Sequence, residues 1–314
     1  GKQIQSLPWV FLQGLFPGAF LSEFAMEFLS QHIDQHVIEY WETLINDWFF
    51  VFAFGLLAIE FGRYAVLKRL NWQLVGDTIT NYITLAFFIA TSYVLFGALY
   101  VGAYFYAAQF SFFEIDINLL TIAIAIILAD LVYYWEHRFM HRVNLAWATH
   151  TVHHSSPHFN ISVAYRFGPL DGFFPIFFHV PLVLLGFDPF LVFFAEIMVQ
   201  IYQTALHTEF FKKFPRPVEA VLNTPSHHRV HHGSNEKYLD ANYAGIFIIW
   251  DRLFGTFVEE DEPVVYGLVK PINTNNPFMV FLHGFWRLWE DVSTAPGIKA
   301  KITSLIAPPG GFSK

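Results

Sequence analysis

The stretch LLTIAIAIILADLVYY, residues 119–134, runs without a break into WEHRFMHRVNLAWATHTVHH, residues 135–154. Its first half is apolar apart from Asp130 and reads as a membrane-crossing helix. The second half carries five histidines. His137 and His141 stand one helical turn apart and share a face, as do His150, His153 and His154 if the helical pattern resumes. Downstream, His228-x2-His231-His232 repeats the spacing of His150-x2-His153-His154, and His207 closes another apolar segment. Twelve of the fifteen histidines lie between 137 and 232, ten of them in these groupings once His227 is counted. A core seldom needs histidine in quantity, and neutral imidazole is the commonest ligand for transition metals. One ion is saturated by about four to six ligands, so the count predicts two ions. The predicted ligands are His137, His141, His150, His153, His154, His207, His228, His231 and His232.

Composition sets the surroundings of these residues. Of 314 residues, 54% are hydrophobic and only 14% charged, with a mean hydropathy of +0.40. Soluble domains carry about 25% charged residues, so the chain reads as an integral membrane protein. Its net charge of −8 excludes a nucleic-acid partner, which requires a basic footprint. The absence of cysteine removes disulfides, thiolate metal sites and iron–sulfur clusters. No cleavable leader is expected, because the first residues lack a basic region followed by a short apolar core.

Outward from residue 119, the hydropathy pattern predicts an all-α membrane bundle of four or five spanning or re-entrant helices, capped by the histidine-rich helices. Residues 1–47 read as an amphipathic interfacial segment, with Leu21, Phe24, Phe28 and Trp41 set against Glu23, Glu27 and Glu39. Residues 48–283 form the membrane-embedded catalytic domain and 284–314 a cytoplasmic, partly helical tail. The spans are expected at Trp48–Leu67, Ile83–Tyr106 and Leu119–Tyr134. Leu170–Phe187 and Pro189–Leu206 follow, either as two short spans or as a hairpin that dips in and returns. Lysine and arginine are missing from 3 to 62, appear at Arg63, Lys68 and Arg69, then vanish until Arg138. The positive-inside rule therefore places the histidine clusters on the cytoplasmic side.

Other residues carry two readings. Asp130 lies two turns before His137 on the same face and is expected to accept the second ring N–H of a ligand. His227 is either a ligand or a group that orients one. Glu196, Gln200 and Gln203 form a stripe leading to His207, either a polar pocket beneath the metals or a set of interhelical hydrogen bonds. Phe173, Phe174, Phe177 and Phe178 are expected to line a lateral entry for an apolar substrate. His32, His36, His158, His179 and His283 lack partners at ligand spacing and read as structural.

The blocks EHRFMHR (136–142), WATHTVHHSS (147–156) and NTPSHHRVHH (223–232) resemble the sterol desaturase/fatty acid hydroxylase superfamily of membrane di-iron enzymes. HHSSPHFNISVAYR (153–166), TPSHHRVHHGSNEKYLDANYAG (224–245), WDRLFGTF (250–257) and the closing APPGGF are similar to its alkylglycerol monooxygenase branch. Several relatives carry a histidine where this chain has Gln203, which leaves one metal with fewer imidazoles or with a water. The resemblance implies two iron ions, O2, a membrane lipid substrate and an external electron donor, in this branch a tetrahydropteridine. It implies hydroxylation of a lipid C–H, in this branch at the carbon beside a glycerol ether oxygen. Zinc binds imidazole more tightly than ferrous iron and can take the same positions on purification.

A sterol or fatty acyl desaturase or hydroxylase would use the same ligands. A metal transporter would place its ligands at mid-bilayer, whereas these lie beyond the apolar stretches. A metal-dependent hydrolase would want a general-base carboxylate in a motif such as HExxH, and no such motif occurs here.

Overall fold

The computed structural model describes residues 54–92, 95 and 97–309. The interfacial segment expected over residues 1–47, the start of the first span and the APPGGF tail from residue 310 lie outside these. Every regular element among the described residues is helical. Helix α1 covers residues 54–66, followed by α2 (Trp72–Thr91), α3 (Gly97–Ala108), α4 (Leu119–Arg142) and α5 (Asn144–His154). Then come α6 (Phe174–Leu185), α7 (Pro189–Leu206), α8 (Arg216–Val221), α9 (Pro225–His231), α10 (Ile249–Phe254), α11 (Pro277–Thr294) and α12 (Gly297–Ile306).

Among the described residues three helices, α2, α4 and α7, are long and apolar enough to cross a membrane. The 12 residues of α6 measure about 18 Å, well short of a hydrocarbon core of about 30 Å. The expected pair therefore becomes a short helix returning into a longer one. Asp188 accepts from the Phe190 N–H at the start of α7, and Pro189 takes the first helical position.

The second span departs from expectation. Instead of one helix over Ile83–Tyr106, α2 begins at Trp72, where the Asn71 side chain accepts from the Leu74 N–H at 2.9 Å. The polar residues that masked this start (Asp77, Thr78, Thr80 and Asn81) are all buried. Arg166 donates to Asp77 Oδ1 at 2.8 Å and to Asn81 Oδ1 at 2.6 Å, and Asn81 donates to Ser162. The inner face of α2 is thus polar because it binds the segment that follows the histidines. A hydropathy window, blind to partners, reads it as a loop.

Helix α4 starts with a capping box between Asn118 and Thr121 and continues through His137 and His141 to Arg142. Val143 takes an extended conformation, φ −120 and ψ 118, and α5 begins at the next residue. The C-terminal helices clasp this elbow. The Asn144 carboxamide donates to Asp291 and to the Ser304 carbonyl, both at 3.0 Å, and its N–H donates to the Ala307 carbonyl. Helix α11 runs through position 284 and lies along α5, with Gly284 at the closest approach. A Cβ there would overlap the Ala148 carbonyl. The apolar core, with Ala125, Ala129, Leu182, Leu191, Val192 and Val199, sits between α4, α6 and α7.

Gly284→Val is therefore expected to force α11 away from the histidine helix. Overpacking of this kind costs about 1–3 kcal/mol, read as a lowered thermal midpoint of the detergent-solubilised protein. An unchanged midpoint would mean that the contact between α11 and α5 is slack.

Candidate metal centre

Four elements supply the histidines. The end of α4 carries His137 and His141, and α5 carries His150, His153 and His154. His207 caps the C-terminus of α7, and α9 with its cap carries His228, His231 and His232. They fall into two groups: His137, His141, His150, His154 and His231, and His153, His207, His228 and His232. Within each, one ring nitrogen per residue lies within 4.8 Å of all the others. The two HxxHH motifs do not map one to a group. His153 and His154 are neighbours on a helix, so their side chains diverge, and each motif serves both groups.

Backbone carbonyls fix the rings. His137 Nδ1 faces the Tyr243 carbonyl at 2.9 Å, His231 Nδ1 that of Ala241 at 3.0 Å, His207 Nδ1 that of Gln203 at 2.9 Å, and His153 Nδ1 that of Arg166 at 3.3 Å. A carbonyl only accepts, so each Nδ1 carries the proton and each Nε2 presents a lone pair. His153 Nε2 and His207 Nε2 then stand 3.2 Å apart with a lone pair on each. His207 Nε2 and His228 Nε2 are 3.0 Å apart, and His137 Nε2 and His150 Nε2 3.1 Å. For His153 and His207, whose ring protons are both given to carbonyls, two lone pairs at this distance repel unless a cation lies between them. Two imidazoles at right angles on an ion with bonds of about 2.1 Å stand ~3 Å apart. The Nε2 atoms of His141, His154, His231 and His232 are buried and lack any hydrogen-bond partner, which buried polar atoms seldom do. Both groups fit a metal ion.

Burial holds the imidazoles in the neutral form that binds metal. It pushes His207 down to about 4. For His150, His153, His154, His228, His231 and His232 burial comes first and neighbouring imidazoles add to it, all driving the pKa well below the ordinary value.

One loop orients the centre. Asp251 accepts from the Tyr243 and Ala244 N–H groups at 2.8 Å each and from the Thr256 hydroxyl. Asp130 accepts from the N–H groups of Ile246 and Phe247 and from the Trp250 indole. Asp130 thus touches no ring nitrogen, contrary to expectation, and reaches His137 through the loop whose Tyr243 carbonyl receives that N–H. Gln203 acts twice: its carbonyl receives His207, and its carboxamide donates to Ala244 and Gly245. The ring of His227 turns outside both groups, to Glu219 at 3.1 Å and Thr224 at 3.4 Å.

Reading side chains alone misses Tyr243 and Ala241, which act through backbone carbonyls. It also misses Arg166, which is fully buried, pairs with Asp77 and lends its carbonyl to His153.

Of the expected substrate residues, Phe174 and Phe178 pack on Phe139 with ring centroids 5.6 and 5.3 Å away. Phe173 packs on Phe174 and Phe177, and Phe177 is exposed. The stripe on α7 divides: Gln200 is exposed, Gln203 is buried, and Glu196 accepts from the Tyr100 and Tyr104 hydroxyls.

A histidine whose folded pKa lies below its unfolded value binds more protons when unfolded, so acid favours unfolding. The stability contributed by neutral His207 is complete above about 6.5 and lost as pH falls toward about 4. The thermal midpoint of metal-free protein is expected to fall through that window. A flat profile would contradict burial of these rings.

Residues 122–256 match the fatty acid hydroxylase family model. Over 182 residues the chain is 44% identical to alkylglycerol monooxygenase of Homo sapiens and 46% identical to that of Danio rerio. Each match covers 58% of this chain and 40% of the relative. It is 25% identical over 149 residues to human lathosterol oxidase, covering 47% of each. The chain thus spans about two fifths of the alkylglycerol monooxygenases it matches. No solved structure matches it. Residues 122–256, which hold all nine clustered histidines, are thus similar to the fatty acid hydroxylase family, and the chain is similar to alkylglycerol monooxygenases at 44–46% identity.

Proposed function

We propose that this chain is an O2-dependent di-iron monooxygenase of membrane lipids, acting on the carbon beside the ether oxygen of an alkylglycerol. The observation that carries the reading is the pair of histidine groups, with lone pairs turned inward, at the end of an apolar helix. The similarity to alkylglycerol monooxygenases supports the choice of lipid. Two ferrous ions held there would supply the redox chemistry by which O2 oxidises an unactivated C–H. One oxygen atom enters the lipid and the other leaves as water, with two electrons and two protons from an external donor and solvent, the donor being a tetrahydropteridine by analogy with the branch. The hydroxylated ether carbon is a hemiacetal, which collapses to an aldehyde and a glycerol lipid.

The chain's own residues do the positioning. His137, His141, His150, His154 and His231 hold one ion; His153, His207, His228 and His232 hold the other. Asp130, Asp251 and Gln203 hold the carbonyls that orient the rings. The aromatic cluster of Phe173, Phe174, Phe177 and Phe178 gives an alkyl chain a path from the lipid. The similarity to lathosterol oxidase favours a second reading, desaturation of a sterol or acyl chain on the same two ions.

Pure protein reconstituted with excess iron should hold two ions per chain, and His153→Ala or His231→Ala should lower that toward one and abolish turnover. Under isotope-labelled dioxygen, one labelled atom should enter the product. An alkene without label would establish the desaturase instead, and turnover without oxygen would remove the di-iron reading.

The histidine groups are assigned to the cytoplasmic side, where Arg63, Lys68, Arg69, Arg138 and Arg142 gather. The chain has no cysteine, so Glu236→Cys, at an exposed position, gives a single label. An impermeant maleimide should reach it only after the cells are permeabilised; labelling of intact cells would invert the topology.

A further inference from the structure

A second polar cluster lies inside the helical bundle, where α4 meets α6 and α7. Glu136 on α4, His179 on α6 and Glu196 on α7 converge there, with Tyr100 and Tyr104 of α3 donating to Glu196. Glu136 is 7% exposed and its Oε2 has no hydrogen-bond partner. Among the described residues no lysine or arginine pairs with either carboxylate. The one nearby cation-forming group is His179, whose Nδ1 is 3.2 Å from the Pro175 carbonyl, 3.5 Å from Glu136 Oε2 and 3.8 Å from Glu196 Oε1. One N–H faces three acceptors. A buried carboxyl oxygen without a hydrogen-bond partner is costly, and Glu136 Oε2 is such an atom.

The same two helices carry an apolar surface beside it. Phe139 and Met140 follow Glu136 by three and four residues, so they share its face of α4. Phe178 and Phe174 precede His179 on α6 and pack with them. A cluster with an unpartnered carboxyl oxygen next to an aromatic surface, one residue from His137, has the layout of a site for an amphiphile whose head donates hydrogen bonds.

We infer that Glu136, His179 and Glu196 bind the hydroxyl groups of a lipid head while its chain lies along Phe139, Phe174 and Phe178. The inference rests on the lipid-oxidising reading above and deepens it. Binding of the hydroxyls at Glu136 holds the head next to the helix turn that bears His137, and so brings the carbon nearest the head toward the metal centre. The site selects lipids with free hydroxyls over those whose head oxygens are all substituted.

The test is equilibrium binding of two radiolabelled probes to the intact, metal-loaded protein in detergent: an alkylglycerol with both hydroxyls free and its dimethyl ether. The wild-type protein should prefer the free diol by about tenfold or more. Glu136→Gln and, separately, Glu196→Gln should erase most of that preference, with affinity for the dimethyl ether and metal content unchanged. Tyr104→Phe, which alters the cluster without changing its charge, replaces either glutamate variant that loses metal. Equal affinity for the two probes in wild-type protein, or a full preference retained in the variants, overturns the site. If the alkylglycerol is oxidised while the variants keep their preference, this inference falls and the monooxygenase reading stands. If the preference depends on the glutamates but no oxygen is incorporated, the reverse holds.

Discussion

Lone pairs of neighbouring imidazoles face one another at hydrogen-bonding distance with no proton between them, and this opposition organises the structure. His153 and His207 are driven into it because each spends its ring proton on a backbone carbonyl. Burial rules out the ordinary escape of protonating one ring, since a cation in that interior would itself be uncompensated. The arrangement is therefore relieved by a shared positive ion, and the surrounding fold keeps the rings from rotating away.

The means is backbone rather than side chain. Four carbonyls, on Tyr243, Ala241, Gln203 and Arg166, receive the four ring protons. Two of these carbonyls, on Tyr243 and Arg166, lie in segments held by buried polar groups. Asp251 and Asp130 fasten the loop of Tyr243, and the buried pair of Arg166 with Asp77 fastens the segment after α5 to α2. A buried ion pair adds little net stability, but it fixes one geometry. Here it links the first apolar helix of the bundle to a ring in the four-histidine group.

Much of this was legible in the sequence. The repeated HxxHH spacing marked six of the nine residues that converge, the one-turn spacing of His137 and His141 and the place of His207 after an apolar segment marked the other three, and the apolar run before His137 placed the first pair at the end of a helix. The bounds of α7 also follow from Asp188-Pro189 at one end and His207 at the other. Three features were hidden for physical reasons. The division of each HxxHH motif between the two groups depends on how three elements meet, which spacing alone does not encode. The start of α2 was hidden because its inward face is polar. The outward turn of His227 was hidden because its partner, Glu219, lies on a different short helix. Asp130 was found by its position among apolar residues, but its role was displaced by one step, to the loop rather than the ring.

The clasp of α11 and α12 on the elbow at Val143 bears on how the protein is made. All nine histidines precede Pro277 in the chain, so the ribosome delivers a complete ligand set before the helix that backs α5. During that interval α5 lacks the helix that backs it and is held to α4 by the hinge at Val143 and by contacts such as His141 against His154. Arrival of α11, with Gly284 seated against Ala148, then completes the packing behind α5. The helix that carries three of the ligands is thus made early and braced last, by a part of the chain that supplies no ligand itself.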